Sequence, residues 1–219
     1  MWTLLTCLTF LTIQANSQNS FSKHNPNAEH ISKTSQRIKE ITASLPLSFE
    51  ANRGQVDSHI KFLSRGDGYN LLLAANEVTF NLSNSKLRMQ FIGANQTPKL
   101  RGLERLPGHS NYFIGNDQSR WQSNVPNFSR VEYVEIYRGI NLIFYGQQRQ
   151  LEYDFVVQPG ADPNKIKFSF EGYQRIKLDQ AGNLVLETND GQVIQHKPVV
   201  YQEINGVKQL IPSKYILDA

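Results

Sequence analysis

The sequence predicts an all-β protein: an antiparallel β-sandwich-like domain preceded by a short N-terminal helix. Beyond Pro46, apolar and polar residues alternate with a period of two, which is typical of antiparallel sheets with one buried face. The alternation is clearest in four segments, whose apolar positions are Val78, Phe80 and Leu82; Leu87, Met89 and Phe91; Leu151, Tyr153, Phe155 and Val157; and Ile166, Phe168 and Phe170.

Turn-forming residues separate these segments at short intervals and give the second indication. Asp-Gly and Asn-Gly pairs favour the positive φ angles of tight hairpins, and many short strands spaced in this way favour a sandwich or barrel. The turn signals are Gly66-Asp67-Gly68, Asn84-Ser85, Gly115-Asn116-Asp117, Pro159-Gly160, Ala181-Gly182-Asn183, Asn189-Asp190-Gly191 and Asn205-Gly206. The pattern also predicts a last strand over Lys214 to Asp218.

The first seventeen residues are predicted to be a secretory signal peptide. Met1 to Ala15 carries no charge and includes Leu4, Leu5, Leu8, Phe10, Leu11 and Ile13. An apolar run followed by small residues is the signal-peptide pattern, and Ala15 with Ser17 places cleavage between Ser17 and Gln18. A bilayer-spanning helix needs about 20 apolar residues, so we expect no transmembrane segment in the mature chain and a secreted or cell-surface location. A non-cleaved N-terminal tail remains the alternative.

Residues 18–45 are predicted to be a polar linker followed by a short amphipathic helix. Ile31, Ile38, Ile41 and Leu45 recur at spacings of seven, three and four, which gives one narrow apolar stripe. Pro46 ends the helix, because the residue before proline is pushed out of the helical region. The β domain is therefore assigned to residues 46–219.

Composition excludes several classes of function. The single cysteine, Cys7, lies in the leader, so the mature chain offers no disulfide framework, thiol nucleophile or cysteine-based zinc site. The net charge of +4 is spread without any block of Lys and Arg. Because a nucleic-acid footprint is clustered on one face, we expect no nucleic-acid partner.

Glu152 and Asp154 form the most suggestive pair of acidic side chains. Two residues apart on a strand, they share a face with Cα atoms about 6.5–7 Å apart, and glycosidases use two carboxylates about 5–9.5 Å apart. Such pairs usually come from different strands that face each other across a cleft. A solvent-facing strand surface would carry the same two residues, and this interpretation is preferred. The pair is the candidate binding site, with no catalytic residue assigned.

Metal and cofactor sites are not predicted. Asp162, Asp179 and Asp190 lie in loops rich in oxygen ligands, yet none has the regular spacing of a calcium loop. Turn formation accounts for them, because Asn and Asp tolerate left-handed conformations. The five histidines show no ligand spacing, and the glycines lack the pattern of a dinucleotide site.

Several ordered blocks resemble a known family. They are residues 47–57 (LSFEANRGQVD), 60–69 (IKFLSRGDGY), 106–117 (LPGHSNYFIGND), 137–146 (YRGINLIFYG), 150–163 (QLEYDFVVQPGADP) and 197–203 (KPVVYQE). Together they resemble the uncharacterised N-terminal domain found ahead of SBBP-type β-propeller repeats in secreted and surface bacterial proteins. The resemblance covers residues 46–219. It implies a setting in secreted or surface proteins, and the family has no established catalytic residues to carry over to this sequence. The family continues into propeller repeats, which are absent here, so the chain is expected to be either a truncated or split product or a front domain that stands alone.

The leading functional hypothesis is a non-enzymatic, exported β-sandwich module with a structural, cell-surface or ligand-display role. The first alternative is a carbohydrate-active hydrolase that uses Glu152 and Asp154 or a carboxylate such as Glu50. The second is a glycan-binding module in which exposed aromatic residues such as Trp121, Tyr112 or Tyr145 stack on sugar rings. The partner is unknown, with a cell-surface glycan or protein as candidates.

Overall fold

A computed structural model describes the backbone of Leu4–Ala15 and the residues 47–66, 68–147 and 150–218. The helix predicted within residues 18–45 and the predicted cleavage position after Ser17 lie outside these ranges. Within them, no helix has the length and apolar character needed to cross a membrane.

The described chain is built almost entirely of strands, which confirms the all-β prediction. Two short 3₁₀ helices, Gln118–Arg120 and Pro163–Lys165, interrupt it. The strands are β1 Leu4–Ala15, β2 Phe49–Ala51, β3 Phe62–Gly66, β4 Tyr69–Leu73, β5 Glu77–Asn81, β6 Lys86–Phe91, β7 Lys99–Tyr112, β8 Gln122–Tyr137, β9 Ile140–Gln147, β10 Gln150–Val157, β11 Phe168–Glu171, β12 Arg175–Leu178, β13 Leu184–Thr188, β14 Gly191–Gln195, β15 Val199–Ile204 and β16 Val207–Ile211.

All sixteen strands belong to one antiparallel sheet. The hydrogen-bonded order is β11-β6-β5-β4-β3-β2-β8-β9-β10-β1-β14-β13-β12, with β7 beside β8 and the β15–β16 hairpin beside β1. Most neighbours in this order are also neighbours in sequence, as short turns require. The exceptions are β11 beside β6, β2 beside β8, and β1, which lies between β10 and the pair β14 and β15.

The sheet curls until its strands bury one common core. Strands β6 and β8 are five steps apart in the sheet order, which corresponds to about 24 Å in a flat sheet at ~4.8 Å per step. The rings of Phe91 on β6 and Tyr133 on β8 nevertheless lie 5.9 Å apart, edge to face. The same hydrophobic cluster includes Leu186 on β13 and Val193 on β14. The curled sheet therefore packs against itself in the manner of a sandwich.

A polar contact joins distant parts of the curled sheet. The carboxylate of Asp190, in the turn between β13 and β14, accepts hydrogen bonds from the backbone N–H of Asn84 at 2.9 Å, from its side-chain amide at 2.9 Å and from the hydroxyl of Ser85. Asn84 and Ser85 form the turn between β5 and β6. Strands β5 and β13 are nine steps apart in the sheet order, so this contact exists only because the sheet closes.

The predicted apolar positions within β5, β6 and β10 face the core: Val78, Leu87 and Met89 are at most 1% exposed, and Leu151, Tyr153, Phe155 and Val157 at most 3%. The fourth predicted segment is confirmed only in part, because Phe168 and Phe170 on β11 are half-buried and Ile166 lies before the strand, at the end of a 3₁₀ helix. The predicted turns separate consecutive elements, as their Gly, Asn and Asp residues require. One predicted strand is wrong: residues 212–218 form no strand, although the Tyr215 hydroxyl donates to the His196 carbonyl at 2.9 Å.

The long strands β7 and β8 depart from regular pairing. Their register shifts between Arg105 and His109 and again between Ser110 and Tyr112. Glu104 and Glu135 have φ angles of 54° and 50°, which single bulge residues adopt to bend a strand. These irregularities blur the period of two, so the sequence pattern is weakest in this part of the chain.

Gly172 follows β11 at a position that no other residue fits. Its φ is +88°, and an added Cβ would lie 1.9 Å from the backbone oxygen of Lys86. We predict that Gly172→Ala lowers the free energy of unfolding by about 3 kcal/mol, because a left-handed backbone costs about 1–2 kcal/mol and overpacking about 1–3 kcal/mol. Gly160, with φ +82° and open space around it, is the matched control. Gly160→Ala should cost only about 1 kcal/mol in urea unfolding, and equal costs would contradict the contact with Lys86.

The contact of Asp190 should be sensitive to pH. The hydrogen bonds from Ser85 and Asn84 hold the pKa of Asp190 below its usual value. An acid with a lowered folded pKa adds stability above its unfolded pKa of about 3.9 and loses it as the pH falls through the folded value. We predict that Asp190→Asn lowers Tm at pH 7 and that the difference from wild type shrinks as the pH falls below the unfolded pKa of about 3.9. Asp218→Asn, at an exposed carboxylate, is the control; an unchanged Tm for Asp190→Asn would refute the contact's role.

Candidate functional site

The acidic residues of β10 lie on the face of the strand that points away from the core. Leu151, Tyr153 and Phe155 fill the core with at most 2% exposure, so Glu152 and Asp154 point the other way. The preferred expectation of a solvent-facing pair is wrong for Glu152, which is only 2% exposed. Both faces of β10 are therefore covered at this position.

Strand pairing brings further polar residues to the same face. Glu152 pairs with Tyr145 on β9, which pairs with Arg130 on β8. Asp154 pairs with Ile143, which pairs with Glu132. We call the five residues Arg130, Glu132, Tyr145, Glu152 and Asp154 the outer-face polar cluster. Glu132, 5% exposed, accepts a hydrogen bond from Asn141 at 2.8 Å and pairs with Arg101.

Tyr145 is the centre of the outer-face polar cluster. Its hydroxyl donates to Asp154 Oδ1 at 3.1 Å, and the Arg130 guanidinium lies 5.5 Å from the centre of its ring. Burial, followed by the charges of Asp154 and Glu152, raises the pKa of Tyr145 far above its ordinary value. The tyrosine therefore stays protonated at neutral pH and acts as a hydrogen-bond donor to Asp154.

The two acids bind protons more tightly than exposed carboxylates. Burial raises the pKa of Asp154 to about 6; the negative charge of Glu152 raises it too, while the Tyr145 hydrogen bond and the charges of Arg130 and Lys208 lower it. Burial also raises the pKa of Glu152. The second oxygen of Glu152, Oε2, is buried and has no hydrogen-bond partner among the residues that the structure describes. Asp154 therefore changes its charge near pH 6.

This geometry differs from that of a glycosidase. Hydrolases place two carboxyl groups on opposite sides of the bond that is cleaved, whereas Glu152 and Asp154 lie side by side on one strand and face the same tyrosine. Glu132 lies two strand steps from Asp154, about 10 Å at ~4.8 Å per step. Ile143 holds the position between them in the pairing register, and Glu132 is already neutralised by Arg101. Asp154 and Glu132 are each held by a partner within the sheet, Tyr145 and Arg101 respectively.

Glu50, the other acid considered from the sequence, is also tied into a side-chain network. It is 8% exposed and accepts a hydrogen bond from the Tyr112 hydroxyl. Arg65 donates to the same hydroxyl at 2.9 Å and lies 3.7 Å from Glu50 Oε1. Burial raises the pKa of Tyr112. This network joins β2, β3 and β7, and it occupies Tyr112 as well as Glu50.

Exposed aromatic rings occur at the connection between β7 and β8. Phe113 is 62% and Trp121 36% exposed, and their rings lie 5.3 Å apart. The planes make an angle of 66°, so they do not form the flat row that sugar-binding modules use. The Trp121 indole N–H donates to the Gly115 carbonyl at 3.1 Å, which fixes the ring against the loop.

The loop carboxylates serve as turn and cap acceptors. Asp162 accepts the backbone N–H of Asn164 at 3.0 Å, and Asp179 accepts those of Ala181 and Asn183 at 2.9 Å. In the ranges that the structure describes, no group of three or more His, Cys, Asp and Glu side chains converges in a way that could hold a metal ion.

A surface cleft of about 410 Å³ lies beside the turn between β8 and β9. Its lining includes Asn95, Glu135, Arg138 and Lys165 and shares no residue with the outer-face polar cluster. Its charged lining residues are one acid, Glu135, and two bases, Arg138 and Lys165.

Sequence reasoning identified Glu152 and Asp154 but missed Glu132 and Arg130, and it named Tyr145 only in the alternative of a glycan-binding module. The signal that could have found them is the hairpin register: Gly139 supplies the left-handed turn residue between β8 and β9, with φ 74°. Residues counted outwards from that turn on the two strands are predicted to pair. The register shift between Tyr133 and Tyr137 changes the partners, so the counted pairs come close to the observed ones but do not match them.

Asp154→Asn should stabilise the protein above pH 6. An acid whose folded pKa exceeds its unfolded value of about 3.9 loses stability as the pH rises from about 4 to about 6. The free energy of unfolding should rise by about 2 kcal/mol at pH 8. A fully buried group would gain about 1.4 kcal/mol for each unit of its pKa shift, and the gain here is smaller because Asp154 is partly exposed. It should vanish at pH 4 in urea unfolding. Asp179→Asn is the control: hydrogen bonds with Asn183 lower the pKa of Asp179, so this substitution should destabilise the protein. A destabilising effect of Asp154→Asn at pH 8 would contradict the assignment.

Comparison with known proteins identifies a family. A family model described as Domain of unknown function (DUF7948) matches residues 49–219. No curated protein and no solved structure matches the chain. The matched segment begins at the first residue of β2 and includes the outer-face polar cluster. The chain belongs to the family of unknown function DUF7948.

Proposed function

We propose that this protein is a non-enzymatic, exported β-sandwich module with a structural, cell-surface or ligand-display role. The observation that carries the proposal is the use of its buried acids as internal connections. Asp154 is bound by Tyr145, Glu50 by Tyr112, and Glu132 by Arg101 and Asn141. Acids held in this way have their carboxylates occupied by partners within the sheet and are poorly placed to attack or protonate a substrate.

The single closed core supports a scaffold role in a second way. The aromatic side chains of β6, β8, β9 and β10 form a continuous chain of ring contacts from Phe91 through Tyr133, Phe144 and Tyr153. Such a core resists deformation because packed rings occupy defined rotamers. A rigid body with loops at its ends is suited to hold other groups in position.

The cellular setting belongs to the same proposal. The apolar leader of residues 1–17 supports export, with the mature chain beginning at Gln18. The sequence blocks at residues 47–57 and 150–163 support a bacterial surface or secreted protein related to those that carry SBBP-type propeller repeats. In that setting the domain acts as a spacer or platform at the cell surface.

Glycan binding is the second candidate function, favoured by the exposure of Phe113 and Trp121. Exposed aromatic residues that carry a polar group are common at binding surfaces. The angle of 66° between the rings limits contact to one ring face at a time, so any such binding would be weak and confined to the β7–β8 connection.

One experiment separates these functions. The purified protein is applied to a glycan array, and hydrolysis of the same glycans is assayed in parallel at pH 5 and pH 7. The scaffold proposal predicts no hydrolysis, and rates equal to buffer for wild type, Glu152→Gln and Asp154→Asn. If the wild type hydrolyses a glycan and both variants fold but do not, the scaffold proposal is overturned and the hydrolase alternative is supported.

A matched aromatic pair tests the glycan candidate in the same array. Trp121 is 36% and Tyr173 37% exposed, so the two rings offer similar accessible area in different places. Array binding that Trp121→Ala removes and Tyr173→Ala keeps would establish the binding module.

Export is tested separately, by N-terminal sequencing of the secreted protein, for which Gln18 is the expected first residue.

A further inference from the structure

The strand β1 occupies an unusual position for the N-terminal segment of a chain. Its residues Leu5 to Leu11 pair antiparallel with Val157 to Leu151 of β10. On its other side, residues 4–8 pair with β15 and residues 11–15 with β14. Both long edges of β1 are therefore hydrogen-bonded, and β1 is the strand that links β10 to β14 and β15 in the sheet order.

The same segment is the predicted leader. Cleavage after Ser17, which is part of the proposed function, would separate β1 from the rest of the chain. The facing edges of β10 on one side and of β14 and β15 on the other would then carry unpaired N–H and C=O groups. Unpaired strand edges readily add another strand, and unpaired buried backbone groups are strongly unfavourable.

The chemistry of the neighbouring strands defines what can fill this position. The groove is as long as β1, twelve residues or about 40 Å at ~3.3 Å per residue. Tyr153 and Phe155 of β10 and Val193 of β14 belong to the core and are 1–2% exposed when β1 is in place. An occupant must therefore be extended, run antiparallel to β10, and carry apolar side chains at alternate positions.

The remainder of the N-terminal region does not offer such a segment. Eight of the twelve residues of β1 are apolar, namely Leu4, Leu5, Cys7, Leu8, Phe10, Leu11, Ile13 and Ala15. Between Gln18 and Pro46 no stretch of twelve has more than four apolar residues, and the best of them contains Arg37, Lys39 and Glu40. An occupant that matches the groove must come from elsewhere.

We propose that the position of β1 is a strand-acceptor groove, which in the mature protein binds an extended apolar segment of a second polypeptide. Main-chain hydrogen bonds to β10, β14 and β15 would supply affinity, and the alternate side-chain positions would supply selectivity, as in other cases of strand addition. The inference rests on the proposed export, because leader cleavage is the event that frees the groove.

The test uses the full chain with a protease site inserted between Ser17 and Gln18. After cutting, the protein is refolded from urea with a hundredfold excess of a labelled peptide of residues 2–17, flanked by lysines for solubility. The labelled peptide should replace the cut segment and co-elute with residues 18–219. Amide exchange of β10 and β14 should be slow in the complex, as it is in the uncut chain.

A matched pair of peptides tests strand pairing itself. Thr6 pairs with Val156 of β10 and with Tyr201 of β15, so it lies between two strands. Thr6→Ala keeps the backbone N–H, and its binding should stay within about threefold of the parent peptide. Thr6→Pro removes that N–H and should bind at least about tenfold more weakly.

Two results would overturn the proposal. One is that residues 18–219 keep slow amide exchange in β10 and β14 without any peptide and bind none. The other is that the labelled peptide never enters, or that Thr6→Pro binds as well as Thr6→Ala. Failure of export is distinguishable, because an uncleaved secreted or retained chain is recognised by its mass, whereas this assay measures the groove after an engineered cut.

Discussion

Burial of one hydrophobic core by a single curled sheet is the constraint on which the rest of the structure depends. A sheet of sixteen strands that stayed flat would leave the core face open to water. Curling brings Phe91 against Tyr133 and places the β5–β6 turn beside Asp190. The right-handed twist of sheets and the bulges of β7 and β8 supply the bend that this closure needs.

Closure also explains the behaviour of the outer-face polar cluster. In a half-buried sheet the face opposite the core is wet, and its acids would titrate normally. Here Glu152 is buried on that face, and burial raises the pKa of both Glu152 and Asp154. Tyr145 donates a hydrogen bond to Asp154, and Arg130 lies nearby. These contacts accommodate the charge of the acids within the packed strands.

Much of the fold could be predicted from the sequence, because alternation and turn chemistry are local. The segments around Val78, Leu87 and Tyr153 have a regular period and turned out as strands with the predicted buried face. The burial of Glu152 could not be predicted, since alternation identifies the polar face and not what covers it. The strand at β1 was missed for a related reason: an apolar run without a strict period is typical of a leader and also of a strand that is buried on both faces.

The most direct test of the closed sheet is a distance between two turns. Cysteines introduced at Ser83 and Asn189, both exposed, would carry spin labels in a Cys7→Ser background, since Cys7 is the one native cysteine. In a flat sheet, nine strand steps would separate β5 from β13 by about 40 Å. The closed sheet predicts a narrow distribution centred at about half that distance or less; a distribution centred near the flat-sheet value would contradict the account.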